Sequence, residues 1–146
     1  ARLWMRFEAG PLPDTLAGVW QQSLDVTEEI PDEISRAMCL SSPIAISRAG
    51  TAIFYSSPDG QSFDAIQTLY CRADLSCLAF AGGPGQQTES QAEGRLMQEG
   101  VKAKYCVGED CLPLERCKPV TFTAEERANG LAKAWDDTFA KVLAPN

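Results

Sequence analysis

Two stretches carry the reading of this chain: Tyr70-Cys71-Arg72-Ala73-Asp74-Leu75-Ser76-Cys77-Leu78 and Tyr105-Cys106-Val107-Gly108-Glu109-Asp110-Cys111-Leu112. Each runs Tyr-Cys, a turn containing aspartate, then Cys-Leu. Two short matches do not make a repeat array, so they read as two similar disulfide-closed turns. Working outward, Cys39 and Cys117 complete a set of six cysteines in a chain with no histidine. The spacings are not the Cys-x-x-Cys of a redox motif or a zinc ribbon. An even set of this kind reads as three structural disulfides and places the protein in an oxidising compartment, periplasmic or extracellular. Six cysteines permit many pairings. Their connectivity is not deducible from sequence; the pairing expected is Cys71–Cys77, with Cys39 reaching one of Cys106, Cys111 and Cys117 and the other two joined. Each bridge typically adds about 2–4 kcal/mol.

A chain of 146 residues is most simply one domain. Its size lets a core hold it together, with the disulfides as reinforcement. The net charge of −7, from 20 acidic and 13 basic residues, disfavours nucleic acid, whose binding rests on phosphate neutralisation by Lys and Arg. Anionic membrane surfaces are disfavoured for the same reason. No apolar run approaches the roughly 20 residues of a membrane helix, so the chain is not expected to span one. It begins at Ala1, as expected of a mature exported protein whose signal peptide has been removed.

The pattern predicts strands over 2–8, 16–24, 44–47 and 51–56. Pro31, Asp32 and Glu33 suit the positive end of a short helix over about 31–38. Residues 62–73 carry Phe63, Ile66, Tyr70 and Ala73 at helical spacing and lean to helix. Residues 78–80 form a short strand, 82–94 a polar, glycine-rich surface loop, and 95–106 one strand with Gly100 as a bulge. Residues 107–119, with Pro113 and Pro119, read as irregular chain held by disulfides. Thr123-Ala124-Glu125-Glu126 is a capping box. Ala128, Leu131, Trp135, Phe139 and Val142 then give one apolar stripe to a helix over about 124–143.

Chemistry is sparse. Without histidine, Ser-His-Asp and Cys-His arrangements are excluded, and neither Ser-x-x-Lys nor Gly-x-Ser-x-Gly occurs. Gly82-Gly83-Pro84-Gly85 lacks the Gly-Lys-Ser/Thr of a phosphate cradle. Glu28, Glu29, Asp32 and Glu33, and Glu125 with Glu126, read as helix-start electrostatics and a solvated face. Paired carboxylates are what glycoside hydrolysis would need without histidine. Trp135 and Phe139 belong to the helix stripe. Trp4 and Trp20 are candidate partner-binding residues, since an exposed tryptophan anchors interfaces, against the commoner core role.

Leu16-Ala17-Gly18-Val19-Trp20 resembles the Gly-x-Trp signature of lipocalins. That resemblance implies an eight-stranded barrel whose first strand opens at this motif, a helix after the barrel, and an apolar ligand cavity near Trp20, Ile53 and Phe80. Cys71-Arg-Ala-Asp-Leu-Ser-Cys77-Leu-Ala-Phe80 resembles the core of PAN/apple domains, implying a binding module in which a helix cysteine pairs with one before a short strand. Gln67 stands where that family has a further helix cysteine.

The fold expected is α+β: an antiparallel sheet or partial barrel, a short helix near residue 35, and a long amphipathic C-terminal helix, stabilised by disulfides at Cys39, Cys71, Cys77, Cys106, Cys111 and Cys117. The function expected is that of an exported, non-catalytic interaction protein with no cofactor or metal. Its partner would be another protein, for example a larger cell-envelope complex such as a membrane-anchored oxidoreductase of which it is a small accessory subunit. The alternatives are a lipocalin-like small-ligand barrel, a PAN/apple-like binding module and, last, a carboxylate-dependent hydrolase. Residues 71–117 are expected to form a loop-rich, disulfide-held surface.

Overall fold

The structure, a computed structural model, describes residues 9–23, 31–84 and 92–143. Eight strands follow one another around a closed antiparallel barrel: β1 (Gly18–Gln22), β2 (Ile44–Ile46), β3 (Thr51–Ser56), β4 (Asp64–Cys71), β5 (Ser76–Ala81), β6 (Ala92–Glu99), β7 (Lys102–Val107) and β8 (Asp110–Arg116). Closure is made by β1 on β8, with Trp20 opposite Arg116 and Gln22 opposite Leu114. A closed barrel leaves no open edge to pair with another chain. Among the described residues three helices accompany the barrel: α1 (Asp32–Ser41) between β1 and β2, and α2 (Ala124–Ala128) and α3 (Leu131–Leu143) after β8.

Alternation along each strand divides the apolar residues into two cores. The inner core gathers Trp20, Ile44, Ile46, Ala52, Leu69, Leu96, Tyr105 and Leu114 with the Cys71–Cys77 bridge. One barrel end is plugged by the segment before β1, which delivers Leu12 and Leu16 into that core. It is tied there by Gly10 N–H donating to the Cys71 carbonyl (2.7 Å) and Leu12 N–H to the Arg48 carbonyl (2.8 Å). Gly50 is required at this crossing: its φ is +109°, and a Cβ would overlap the Gly10 nitrogen. Arg116 seals the same end. Its guanidinium lies 4.5 Å from the Trp20 ring centroid and donates to the carbonyls of Ala17 (2.9 Å) and Thr15.

The outer core lies where α1 and α3 cover β1 and β2. Val19, Ala45 and Cys39 meet Trp135 and Phe139 of α3, with Tyr55, Phe63 and Phe122 around them. The Trp135 and Phe139 rings stand 4.5 Å apart and Tyr55 packs edge-on to Phe139 at 5.3 Å. Cys39–Cys117 fastens α1 to the chain leaving β8. Arg36 of α1 then reaches both the Thr121 carbonyl (3.0 Å) and Glu126 (2.5 Å). Glu126 is also the reciprocal member of the capping box with Thr123.

The disulfides are Cys71–Cys77, as expected, with Cys39–Cys117 and Cys106–Cys111, one of the three arrangements left open for the other four cysteines. The helix near residue 35 is present. Other expectations are corrected. The sheet is a fully closed barrel, not a partial one. Residues 64–71 form β4, not a helix. Leu69 and Cys71 alternate inward with full burial, and ladder pairing on both sides overrides the helical spacing of Phe63, Ile66 and Tyr70. Gly100 (φ +64°) is the turn between β6 and β7 rather than a bulge within one strand. Residues 110–116 form β8 rather than irregular chain, and residues 92–94 of the expected loop belong to β6. Residues 71–117 are therefore mostly barrel wall and not a loop-rich surface. The C-terminal helix is broken into two at Gly130 (φ +94°), where Asn129 Oδ1 accepts from Leu131 N–H (3.1 Å). The predicted strand at 2–8 lies outside the described residues.

Candidate functional site

The lipocalin resemblance locates a ligand cavity near Trp20, Ile53 and Phe80. The register separates these three. Trp20 faces inward, is fully buried, and donates its indole N–H to the Leu16 carbonyl (2.9 Å). Ile53 and Phe80 each pair with Thr68, whose neighbour Leu69 faces inward, so both turn to the outer face. Around Trp20 the space is filled by Leu12, Leu16, Ile44 and Leu114. Trp20 is thus a core residue, closed off from any partner. Trp4 lies outside the described residues. The helix implied by the PAN/apple resemblance is strand β4.

Among the described residues, acidic side chains do not converge on a cleft; Glu28 and Glu29 lie outside them. Among the described residues, Asp14 pairs with Arg48 (2.6 Å), Asp32 with Lys118, Glu99 with Lys104 (2.8 Å), Glu126 with Arg36, and Asp137 with Lys133 (2.6 Å). No group of three or more metal-ligating side chains forms among them. The carboxyls held below their usual range are turn and cap groups. Asp59 accepts from Gln61 N–H and from the Ser62 side chain and backbone; Asp74 accepts from the Ser76 hydroxyl and N–H; Glu126 accepts from Thr123 N–H and Arg36. All three are structural hydrogen-bond acceptors. Tyr55 and Tyr105 are pushed up by burial.

What remains is the outer wall on β5 to β8, away from the helices. Alternation puts Arg95, Met97 and Glu99 of β6 outward, beside Lys102, Lys104 and Cys106 of β7 and Cys111, Pro113 and Glu115 of β8. Met97 is 40% exposed in the middle of this wall. Two grooves flank it. One, of about 460 Å³, is lined by Arg72, Ser76, Leu78, Arg95, Met97 and Cys106. The other, of about 530 Å³, is lined by Glu99, Lys102, Lys104, Cys111 and Pro113. Lys104–Glu99 and Lys102–Glu115 (3.8 Å) ion pairs run across the wall. The surface combines an exposed thioether, an exposed disulfide and alternating charges.

The sequence reading missed Met97, Lys102 and Lys104 as surface neighbours. Their signal was alternation with Ala103 and Tyr105, legible once β7 is recognised as a strand. Comparison with protein-family models, with curated proteins and with solved structures found no match to this chain.

Proposed function

We propose that this chain is an exported, non-catalytic interaction protein that works through the outside of its barrel, as a small accessory subunit of a larger cell-envelope complex would. The observation that carries this reading is the filled interior. With Trp20, Leu16, Leu69, Leu96 and Leu114 fully buried in one cluster, binding falls to the wall. Three disulfides support an oxidising compartment. Among the described residues, no helix is long and apolar enough to cross a membrane. The test is crosslinking in intact cells followed by purification. One stoichiometric partner should be recovered, and Met97→Glu and, separately, Lys104→Gln should each weaken its capture at least tenfold while changing thermal stability little. Recovery of the monomer alone, or capture unaffected by these substitutions, overturns the reading.

A lipocalin-like small-ligand barrel is the second reading. It is favoured by the closed eight-stranded topology, by Gly18-Val19-Trp20 opening β1 at the plugged end, and by the helix packed outside after β8. It predicts a saturable change in tryptophan fluorescence on titration with an apolar naphthalene dye. A flat titration at micromolar dye leaves the wall as the binding surface.

A further inference from the structure

Two of the three disulfides are built alike and placed differently. Cys71 faces Cys77 across β4 and β5, and Cys106 faces Cys111 across β7 and β8. The first pair is 0% and 2% exposed inside the barrel. The second is on the outer wall: Cys106 is 8% exposed and Cys111 is open to solvent. One groove is lined by Cys106 and another by Cys111; the first also touches Cys77, so what separates the two bridges is the solvent exposure of Cys111. The third bridge has Cys39 1% exposed and Cys117 half-buried against Val120 and the outer core.

We propose that Cys106–Cys111 is a thiol-exchange site, the one described bridge at which the folded protein forms mixed disulfides with small thiols. Exchange requires a thiolate to reach one sulfur while the other leaves. Access selects Cys111 as the sulfur attacked. The incoming thiolate sulfur bonds to Cys111 Sγ, the Cys106–Cys111 bond breaks, and its electron pair leaves on Cys106 as a thiolate. A second small thiolate then attacks the adduct. It releases the small-molecule disulfide and leaves Cys106 and Cys111 reduced, two electrons having come from two thiols. If the second thiol is withheld, Cys106, still opposite Cys111, attacks the adduct and restores the bridge.

The surrounding charge defines the class of thiol. Glu109 and Asp110 immediately precede Cys111, and both are exposed. Arg95 stands opposite Cys106 on β6 and Lys104 lies two positions before it on the same face. Lys102 and Lys104, which line the groove at Cys111, are each paired with a carboxylate, Glu115 and Glu99, which leaves Glu109 and Asp110 as the acidic groups beside the attacked sulfur and Arg95 as the cation opposite the leaving one. A cationic thiol is favoured over an anionic one, and a cationic surface near the leaving group eases departure.

The experiment uses the intact oxidised chain under native conditions. Cysteamine, which is cationic, or glutathione, which is anionic, is added; the reaction is stopped by alkylation and mapped by mass spectrometry. Adducts and alkylation are expected at Cys111 and Cys106 at least about 100-fold faster than at the other four cysteines, which react only after denaturant is added. Corrected for thiolate fraction, cysteamine should outpace glutathione about fivefold at low salt, with the ratio falling toward one at high salt. Glu109→Gln with Asp110→Asn should collapse the same ratio. Reaction at all three bridges together, or first at Cys39–Cys117, overturns the site. A ratio indifferent to salt and to these substitutions overturns the preference for cationic thiols.

Discussion

The hairpins β4–β5 and β7–β8 share a sequence pattern, a cross-strand disulfide and an adjacent Tyr/Leu pair, yet they face opposite ways. In the first, Cys71 and Cys77 join the inner core, while Tyr70 and Leu78 turn outward, Tyr70 packing edge-on to Phe80 at 5.7 Å. In the second, Tyr105 and Leu112 point inward and the bridge is outside. The turns differ as well. The first spans four residues and places Leu75 at φ +74°, its side chain packed against the core. The second spans Gly108 and Glu109, with Gly108 at φ +61°. Neighbouring residues on a strand alternate faces, so which of Tyr and Cys is buried is set by where the hairpin enters the barrel and not by the motif. The same pattern therefore makes a piece of core in one place and an accessible bridge in the other.

The largest test of that contrast is removal of each bridge. Chain entropy alone makes two such short loops nearly equal, at about 2 kcal/mol each. Cys71→Ser with Cys77→Ser also places two hydroxyls in the apolar interior and should cost about 4–5 kcal/mol by urea unfolding. Cys106→Ser with Cys111→Ser should cost only about 2 kcal/mol. Equal losses would break the contrast. Next comes Gly94→Ala. A Cβ there would overlap the Tyr105 phenol, so the ring must shift within a filled barrel, at about 2–3 kcal/mol. Tyr105→Phe should run the other way. The Tyr105 hydroxyl is buried with no hydrogen-bond partner among the described residues, so its removal should leave stability unchanged or raise it by up to about 1 kcal/mol. The smallest effect is at the first turn. Asp74 is held below its ordinary value first by the Ser76 hydroxyl and then by the Ser76 N–H. A depressed carboxyl contributes stability that is complete above its unfolded value, about 3.9, and is lost as pH falls through the lower folded value. Asp74→Asn should remove that part of the acid slope, measured by thermal melts below about pH 4.

Much of the sheet was legible where alternation and turn residues agreed. The strands around Ala49-Gly50, the helix opened by Pro31-Asp32-Glu33 and the Thr123–Glu126 capping box all carry local signals strong enough to survive packing. Of the disulfides, Cys71–Cys77 was expected from sequence, while the partner of Cys39 was left open and is fixed only by the packing of α1 against the chain leaving β8. The second half of the barrel was not. Ile66, Tyr70 and Phe63 fall at helical intervals by coincidence, and only pairing with β3 and β5 shows that Leu69 and Cys71 are the buried set. Pro113 argued against a strand, yet it lies within β8, where its carbonyl accepts from Ser23 N–H (2.8 Å). Barrel closure, which joins Trp20 to Arg116 over 96 positions, carried no local signal and entered only as what the lipocalin resemblance of Gly18-Val19-Trp20 implied. The outer wall followed only once β7 and β8 were known to be paired.

The Cys39–Cys117 bridge links positions 78 residues apart, and β2 through β8 all lie between them. Seen as a force path, it is a short circuit. Tension applied between the two ends of the chain passes from α1 straight to the segment after β8 and bypasses those seven strands. β1, the outer helices and the terminal segments can be drawn out, but roughly 260 Å of contour stays locked while the bridge is intact. A partner pulling on either terminus would therefore strip the barrel's covering and its first strand, and leave most of the wall folded.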